Sequence, residues 1–275
     1  MNDAKIEMIE IDLLLETIFQ RYGYDFRSYA RASIERRIRQ FLAGSRCSSI
    51  SEMIPKILHD EEFFSNLVQY FSISVTEIFR DPLVYRAVRE KVLPLLKTWP
   101  HVKIWHAGCA TGEEVYSLAI VLKEEEVYDR ATIYATDFND ESLDRAREGV
   151  YALGKLKDAT KNYQQTGGKA SFSEYYHAHY DAAAMDGSLK ERITFANHNL
   201  AVDAAFGEMH LIFCRNVLIY FNRELQNRVL ELFTDSLVHG GFLCLGTKED
   251  LQFSEVSNLY ELVDAKAKIY KKKST

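Results

Sequence analysis

The stretch Ile104-Trp105-His106-Ala107-Gly108-Cys109-Ala110-Thr111-Gly112-Glu113-Glu114 constrains this chain more than any other. An apolar run over 102–105 leads into a loop of small residues. Val115, Leu118, Ala119 and Leu122 then recur at helical spacing. Strand, glycine loop and helix form the opening unit of an open α/β sheet, because parallel strands need a crossover between them. The alternation continues. Residues 132–135 read as a second strand ending at Asp137, Asn139 or Asp140 can cap the next helix, and Gly149 closes it. Further strands are expected at 193–196, 210–214 and 242–245, with a helix over about 223–238 and another strand at 267–270. The pattern predicts a mostly parallel sheet covered on both faces.

The chain ahead of this sheet reads differently. Ile9, Leu13, Leu14, Ile18 and Phe19 recur at helical spacing before Gly23, and further helices are expected over about 26–42, 50–58 and 61–71. Residues 1–73 are therefore expected to form a helical domain, and 74–275 the α/β domain. One segment breaks the alternation. Gly167-Gly168 and the Tyr-x-His-x-Tyr pattern within 172–180 suggest a small β insertion, placed at about 168–197.

Composition narrows the function classes. A formal net charge of -6 argues against a global nucleic-acid footprint. No stretch approaches the roughly 20 apolar residues that span a bilayer, and residues 1–10 lack a signal-peptide core. The four cysteines form no CxxC pair, so reduced thiols and a cytoplasmic location are expected. His177 and His179 share a strand face, but no third ligand is evident, and no metal site is expected.

The candidate chemistry sits where the strands end, the edge at which open α/β sheets bind ligands. Gly108 and Gly112 let a ligand approach the backbone closely. Glu113 and Glu114 stand at a helix start that would otherwise attract an anion. Two carboxylates there repel a pyrophosphate but hold a cation, which suits the sulfonium and ammonium of S-adenosylmethionine. The spacing is neither GxGxxG nor a P-loop. Asp137, 25 residues beyond Gly112, is placed to accept hydrogen bonds from ribose hydroxyls. Asn199 and Leu200, after the strand at 193–196, could meet a base edge and cover a base. Arg215, Asn216 and Tyr220 follow the strand at 210–214.

Taken together these residues resemble the CheR family of chemotaxis receptor glutamate methyltransferases. The segment 72–81, Ser-Ile-Ser-Val-Thr-Glu-Ile-Phe-Arg-Asp, is similar to the family's Asn-x-Thr-x-Phe-Phe-Arg signature. Residues 110–117 are similar to its Ser-Thr-Gly-Glu-Glu-Pro-Tyr-Ser, and 213–221 to its Phe-Cys-Arg-Asn-Val-x-Ile-Tyr-Phe. The resemblance implies an all-α N-terminal domain before a Rossmann-like S-adenosylmethionine-dependent methyltransferase domain with a small antiparallel β insertion. It implies cofactor contacts from Thr76, Arg80, Glu113, Asp137, Asn199, Leu200, Arg215 and Asn216, with Arg80 and Tyr220 bordering methyl transfer. Ser74 stands where many members have Asn, which shortens one cofactor contact or routes it through water. Val115 replaces Pro, and Ile78 replaces the first Phe of a pair. Gly246-Thr247-Lys248-Glu249 lies where the family usually has Gly-His-Ser-Glu, and no role is assigned there.

Between Arg27 and Arg46 there are six arginines and one glutamate, a net +5 in an acidic chain. A solvated helix face is the plain explanation. In the family, the basic N-terminal helix faces the acidic helical bundle of a chemoreceptor, so Arg31, Arg36, Arg37 and Arg39 are expected to contact that substrate. The chain is expected to act as a monomer. Two other readings stay open: a methyltransferase of a related signalling pathway, and a non-catalytic receptor-binding adaptor of the same fold.

Overall fold

The computed structural model describes residues 3–72 and 76–274, which fall into two compact units. The first holds residues 3–72 together with Asn199–Ala204 and Ile219–Val229. Four helices account for most of it: α1 (Asp3–Tyr22), α2 (Arg31–Gly44), α3 (Met53–His59) and α4 (Glu61–Phe71). Gly23, at φ 76°, ends α1 by donating its N–H to the Phe19 carbonyl. Asp60 caps α4, accepting the N–H of Phe63 at 3.0 Å.

Two expectations for this unit are corrected. On α1 the buried stripe is Ile11, Leu14, Leu15 and Ile18, whereas Ile9 and Leu13 are exposed. The helix carries apolar residues on two sides, and spacing does not say which side packs. The second helix begins at Arg31, not Phe26. Phe26 is buried from the loop before it, edge-on to Tyr29 and Phe71. Tyr29 in turn bridges to Phe221.

The second unit opens with α5 (Pro82–Ala87), a π-helical turn over Val88–Val92, and α6 (Leu93–Leu96). Its remaining elements are β1 (Val102–Ala107), α7 (Glu113–Glu124), β2 (Ala131–Asp137), α8 (Asp140–Glu148), β3 (Val150–Ala152), α9 (Leu153–Gln165), β4 (Tyr176–His179), β5 (Ala182–Met185), β6 (Ile193–Asn197), β7 (Met209–Cys214), α10 (Arg223–Ser236), β8 (Leu237–Leu245), β9 (Tyr260–Asp264) and β10 (Ile269–Lys272). Of α10, the part from Leu230 belongs to this unit.

Seven strands form one sheet in the order β6-β2-β1-β7-β8-β10-β9. The first five are mutually parallel, and β10 and β9 add antiparallel at one edge. The order reverses direction at β1, between β2 and β7, which is where α/β sheets open a crevice. Buried Val102, Ile104, Ile133, Leu211 and Phe213 form core with Leu118, Ile120 and Leu122 of α7.

The smaller sheet differs from the expected insertion. Its order is β3-β5-β4, so one strand comes from 150–152, ahead of the expected span. Residues 193–197, at the end of that span, pair with β2 in the large sheet, where a strand over 193–196 is expected from the alternation. The helix α9 was not anticipated. Only Leu156, Ala159 and Tyr163 are buried along it, and so few apolar positions leave a faint period.

Candidate functional site

Asp137 occupies the last position of β2 and is buried. One carboxylate oxygen accepts the N–H of Ala110 at 2.9 Å and the other that of Asn139 at 3.0 Å. The first bond draws the loop after β1 against the end of β2. A carboxylate offers about four acceptor positions, so capacity remains for a ligand hydroxyl. Burial pushes the Asp137 carboxyl above its usual range, and the N–H groups of Asn139 and Ala110 work against that shift.

The loop after β1 is shaped by left-handed backbone. Gly108, Ala110 and Gly112 have φ of 73°, 47° and 88°. A side chain at Gly108 would place its Cβ 2.5 Å from a Val217 methyl, and one at Gly112 would sit 2.9 Å from the Ala146 Cβ. Both glycines are therefore required by crowding within the protein as well as by conformation.

Glu113, at the start of α7, is only 2% exposed. Thr111 donates its hydroxyl to Glu113 Oε2 at 2.6 Å, and Lys155 Nζ lies 3.8 Å from Oε1. Burial raises its carboxyl above the usual range. A buried acid with one loose cationic neighbour is placed to take the ammonium of a ligand.

Arg215, expected among the cofactor contacts, turns its side chain inward. Its side chain is fully buried and ion-paired with Glu114 and, at 2.5 Å, with Asp81; it also donates to the Arg80 carbonyl at 3.3 Å. Glu114 is thus turned to Arg215, while its neighbour Glu113 faces Thr111 and Lys155. Arg80 is half-buried, between Phe79 and Asp81 in left-handed conformations at φ 53°. Thr76 is half-buried too, and Ser74 lies outside the described residues.

Asn216 also has a left-handed backbone, at φ 59°. Its N–H donates to Glu249 Oε2 at 3.0 Å, and the Gly246 N–H donates to the same oxygen at 2.6 Å. Glu249, 5% exposed, is the residue that sequence reasoning left without a role. A signal was available: an acid three residues after Gly246, just past an apolar strand. His106, at the end of β1, is 1% exposed, and burial followed by Arg215 drives its imidazole down to about 3.

Asn199, Leu200 and Tyr220 belong to the first unit. Asn199 builds a turn, accepting the Ala201 N–H on its side chain, while its own N–H donates to Asp203. The Tyr220 carbonyl accepts the Ala30 N–H at 2.7 Å, and the Arg37 guanidinium lies 5.7 Å from the Tyr220 ring centre. Arg37 donates to the Tyr70 carbonyl at 2.5 Å. Arg31 is paired with Asp12 and Glu35, and Arg39 with Glu7 and Glu35, so much of the basic run is neutralised by its own unit. Arg36 is exposed.

A doubly wound sheet with an acidic first loop and a buried aspartate ending the second strand defines the class of S-adenosylmethionine-dependent methyltransferases. Within it, this chain belongs to the CheR family: "CheR methyltransferase, SAM binding domain" matches residues 74–269, and "CheR methyltransferase, all-alpha domain" matches 9–72. The chain is 50% identical over 272 residues to a Pseudomonas putida protein named as the methyltransferase Cher3, covering 99% of this chain and 100% of the relative. It is 28% identical to the chemotaxis protein methyltransferase of Listeria monocytogenes, over 83% of this chain and 85% of that one. The solved N-methyltransferase NodS of Bradyrhizobium japonicum, in complex with S-adenosyl-L-homocysteine, is similar over 62% of this chain and 63% of its own, at 13% identity and a TM-score of 0.35. Among the described residues no helix is long and apolar enough to cross a membrane.

Proposed function

We propose that this enzyme transfers the methyl group of S-adenosylmethionine to glutamate side chains of a chemoreceptor's cytoplasmic helical bundle, forming methyl esters. The observation that carries the reading is the pair of buried carboxylates, Glu113 at the start of the helix that follows β1 and Asp137 at the end of the adjacent strand β2. One suits an ammonium and the other a ribose, and neither tolerates a phosphate.

S-adenosylmethionine supplies an electrophilic methyl group. An acceptor glutamate, with an ordinary pKa of about 4.3, is already ionised at neutral pH and needs no base. Its oxygen forms a bond to the methyl carbon as the carbon–sulfur bond breaks, and the sulfur keeps the electron pair. The protein's part is alignment and exclusion of water, which is worth roughly 7–11 kcal/mol in favourable cases. His106, closed off from solvent, has no place in such a step.

Within the second unit this reading gives cofactor contacts to Thr76, Arg80, Gly108, Glu113, Asp137 and Asn216. Arg80 is also the cation that would steer the acceptor by a charge-assisted hydrogen bond. Asn199, Leu200 and Tyr220 keep the roles the resemblance implies, as separate proposals.

The test combines calorimetry against S-adenosylhomocysteine with transfer of a radiolabelled methyl group to purified receptor cytoplasmic fragments. Label released as methanol in base is the expected result, since esters hydrolyse there. Binding without transfer to any receptor fragment favours an acceptor outside chemoreception. No binding favours the non-catalytic adaptor. Arg80→Ala is expected to remove transfer while leaving the melting temperature unchanged.

A further inference from the structure

We infer that Arg215 is a positioning residue rather than a cofactor ligand: paired with Glu114 and Asp81 and bonded to the Arg80 carbonyl, it holds Arg80 in its working place. The inference rests on the reading that puts Arg80 at the cofactor.

Three observations carry it. First, the Arg215 donors are committed inward. Its side chain is fully buried, Nη1 serves Glu114 and the Arg80 carbonyl, and Nη2 serves Asp81 at 2.5 Å. The remaining Nε is itself buried, with no hydrogen-bond partner among the described residues.

Second, Asp81 stands at the N-cap of α5, yet its side chain makes no capping bond. An N-cap aspartate ordinarily accepts an N–H from the first turn of its helix. Here the carboxylate turns to Arg215 instead.

Third, the backbone on both sides of Arg80 is left-handed, at Phe79 and Asp81. For residues other than glycine this conformation is strained and persists only where surroundings enforce it. Arg215 enforces it on one side. On the other, the Phe79 N–H donates to Ser117 Oγ at 2.8 Å, and Ser117 donates to the Glu113 carbonyl at 2.7 Å. The Arg80 segment is thus pinned to the loop after β7 and to the first turns of α7.

The experiment is a double-mutant cycle on the full chain, read as S-adenosylhomocysteine affinity by calorimetry. It pairs Arg80→Ala with Asp81→Asn. Asparagine tolerates the left-handed backbone, and Asp81 is partly exposed, so the fold should survive. Each single variant is expected to bind about five- to tenfold more weakly, and the double variant no more weakly than Arg80→Ala alone, within about twofold. Glu114→Gln, which perturbs the same guanidinium from its other side, is expected to show the same coupling. Thermal melts of all variants separate loss of alignment from loss of fold. Effects that multiply, or wild-type binding by Asp81→Asn, overturn the positioning role and leave the proposed function intact. Wild-type binding and turnover by Arg80→Ala remove Arg80 from the site and overturn the positioning role, while methyl transfer itself stands; absence of any binding by the wild-type chain is what overturns the proposed function.

Discussion

Glu249 accepts the backbone N–H of Asn216 at 3.0 Å, and through that bond the loop after β8 sets the shape of the loop after β7. The same oxygen takes the Gly246 N–H, and a side chain at Gly246 would lie 2.6 Å from it. An amide oxygen can replace a carboxylate oxygen in this geometry. Glu249→Ala is therefore expected to weaken S-adenosylhomocysteine binding about tenfold, the loss of roughly 1.4 kcal/mol. Glu249→Gln should stay within about threefold. Equal losses in calorimetry would show that charge, not the shared acceptor, is what matters.

Glu113 trades stability for binding. Its carboxyl is raised by burial above the usual 4.5. Its contribution to stability is therefore full below 4.5 and lost as pH rises through the higher folded value. At pH 8 the charged form burdens the empty protein. Glu113→Gln keeps an acceptor for Thr111 and removes that burden. Its melting temperature at pH 8 is expected to equal or exceed wild type, while S-adenosylhomocysteine affinity falls at least about tenfold. A variant that melts earlier and binds normally would contradict both halves.

His106 gives the opposite sign. Its folded value of about 3 lies below the ordinary 6.5. The stability it contributes is full above 6.5 and is lost as pH falls toward 3, at up to about 1.4 kcal/mol per pH unit. Urea unfolding between pH 6.5 and 4 should show a steeper loss in wild type than in His106→Leu. Parallel curves would mean that the imidazole charges freely in the fold.

The basic run also sorts itself. Arg31 and Arg39 are occupied by acids of their own unit, and Arg37 is half-buried against the Tyr70 carbonyl. Arg36→Glu is thus expected to lower receptor methylation several-fold at low salt, with the gap narrowing in high salt and S-adenosylhomocysteine affinity unchanged. Arg31→Glu and Arg39→Glu should cost stability first, read as a lower melting temperature. Equal effects of all three on methylation at constant stability would restore the whole face as a docking surface.

The five parallel strands of the large sheet and the helices α7, α8 and α10 were legible because their apolar periods are strong and their ends are marked by Gly, Asn and Asp. Asn139 caps α8, accepting the Ser142 N–H, and Gly149 closes it at φ 61°. The loop glycines and Asp137 were legible for the same reason. What stayed hidden were pairings with weak local signatures. β3 has three residues, and β9 has exposed Leu262 beside buried Tyr260, so neither shows a clean alternation.

Sequence alone determined the order of elements, the acidic character of the first loop and the family to which the chain belongs, since these follow from local spacing and short motifs. Tertiary structure alone decided which acid serves which partner. Glu113 and Glu114 are adjacent and chemically alike, but successive helical residues point about 100° apart. One meets Thr111 and Lys155, while the other meets an arginine 101 residues away. Local sequence carries no record of a partner that distant, because only the folded chain brings the two charges out of water together.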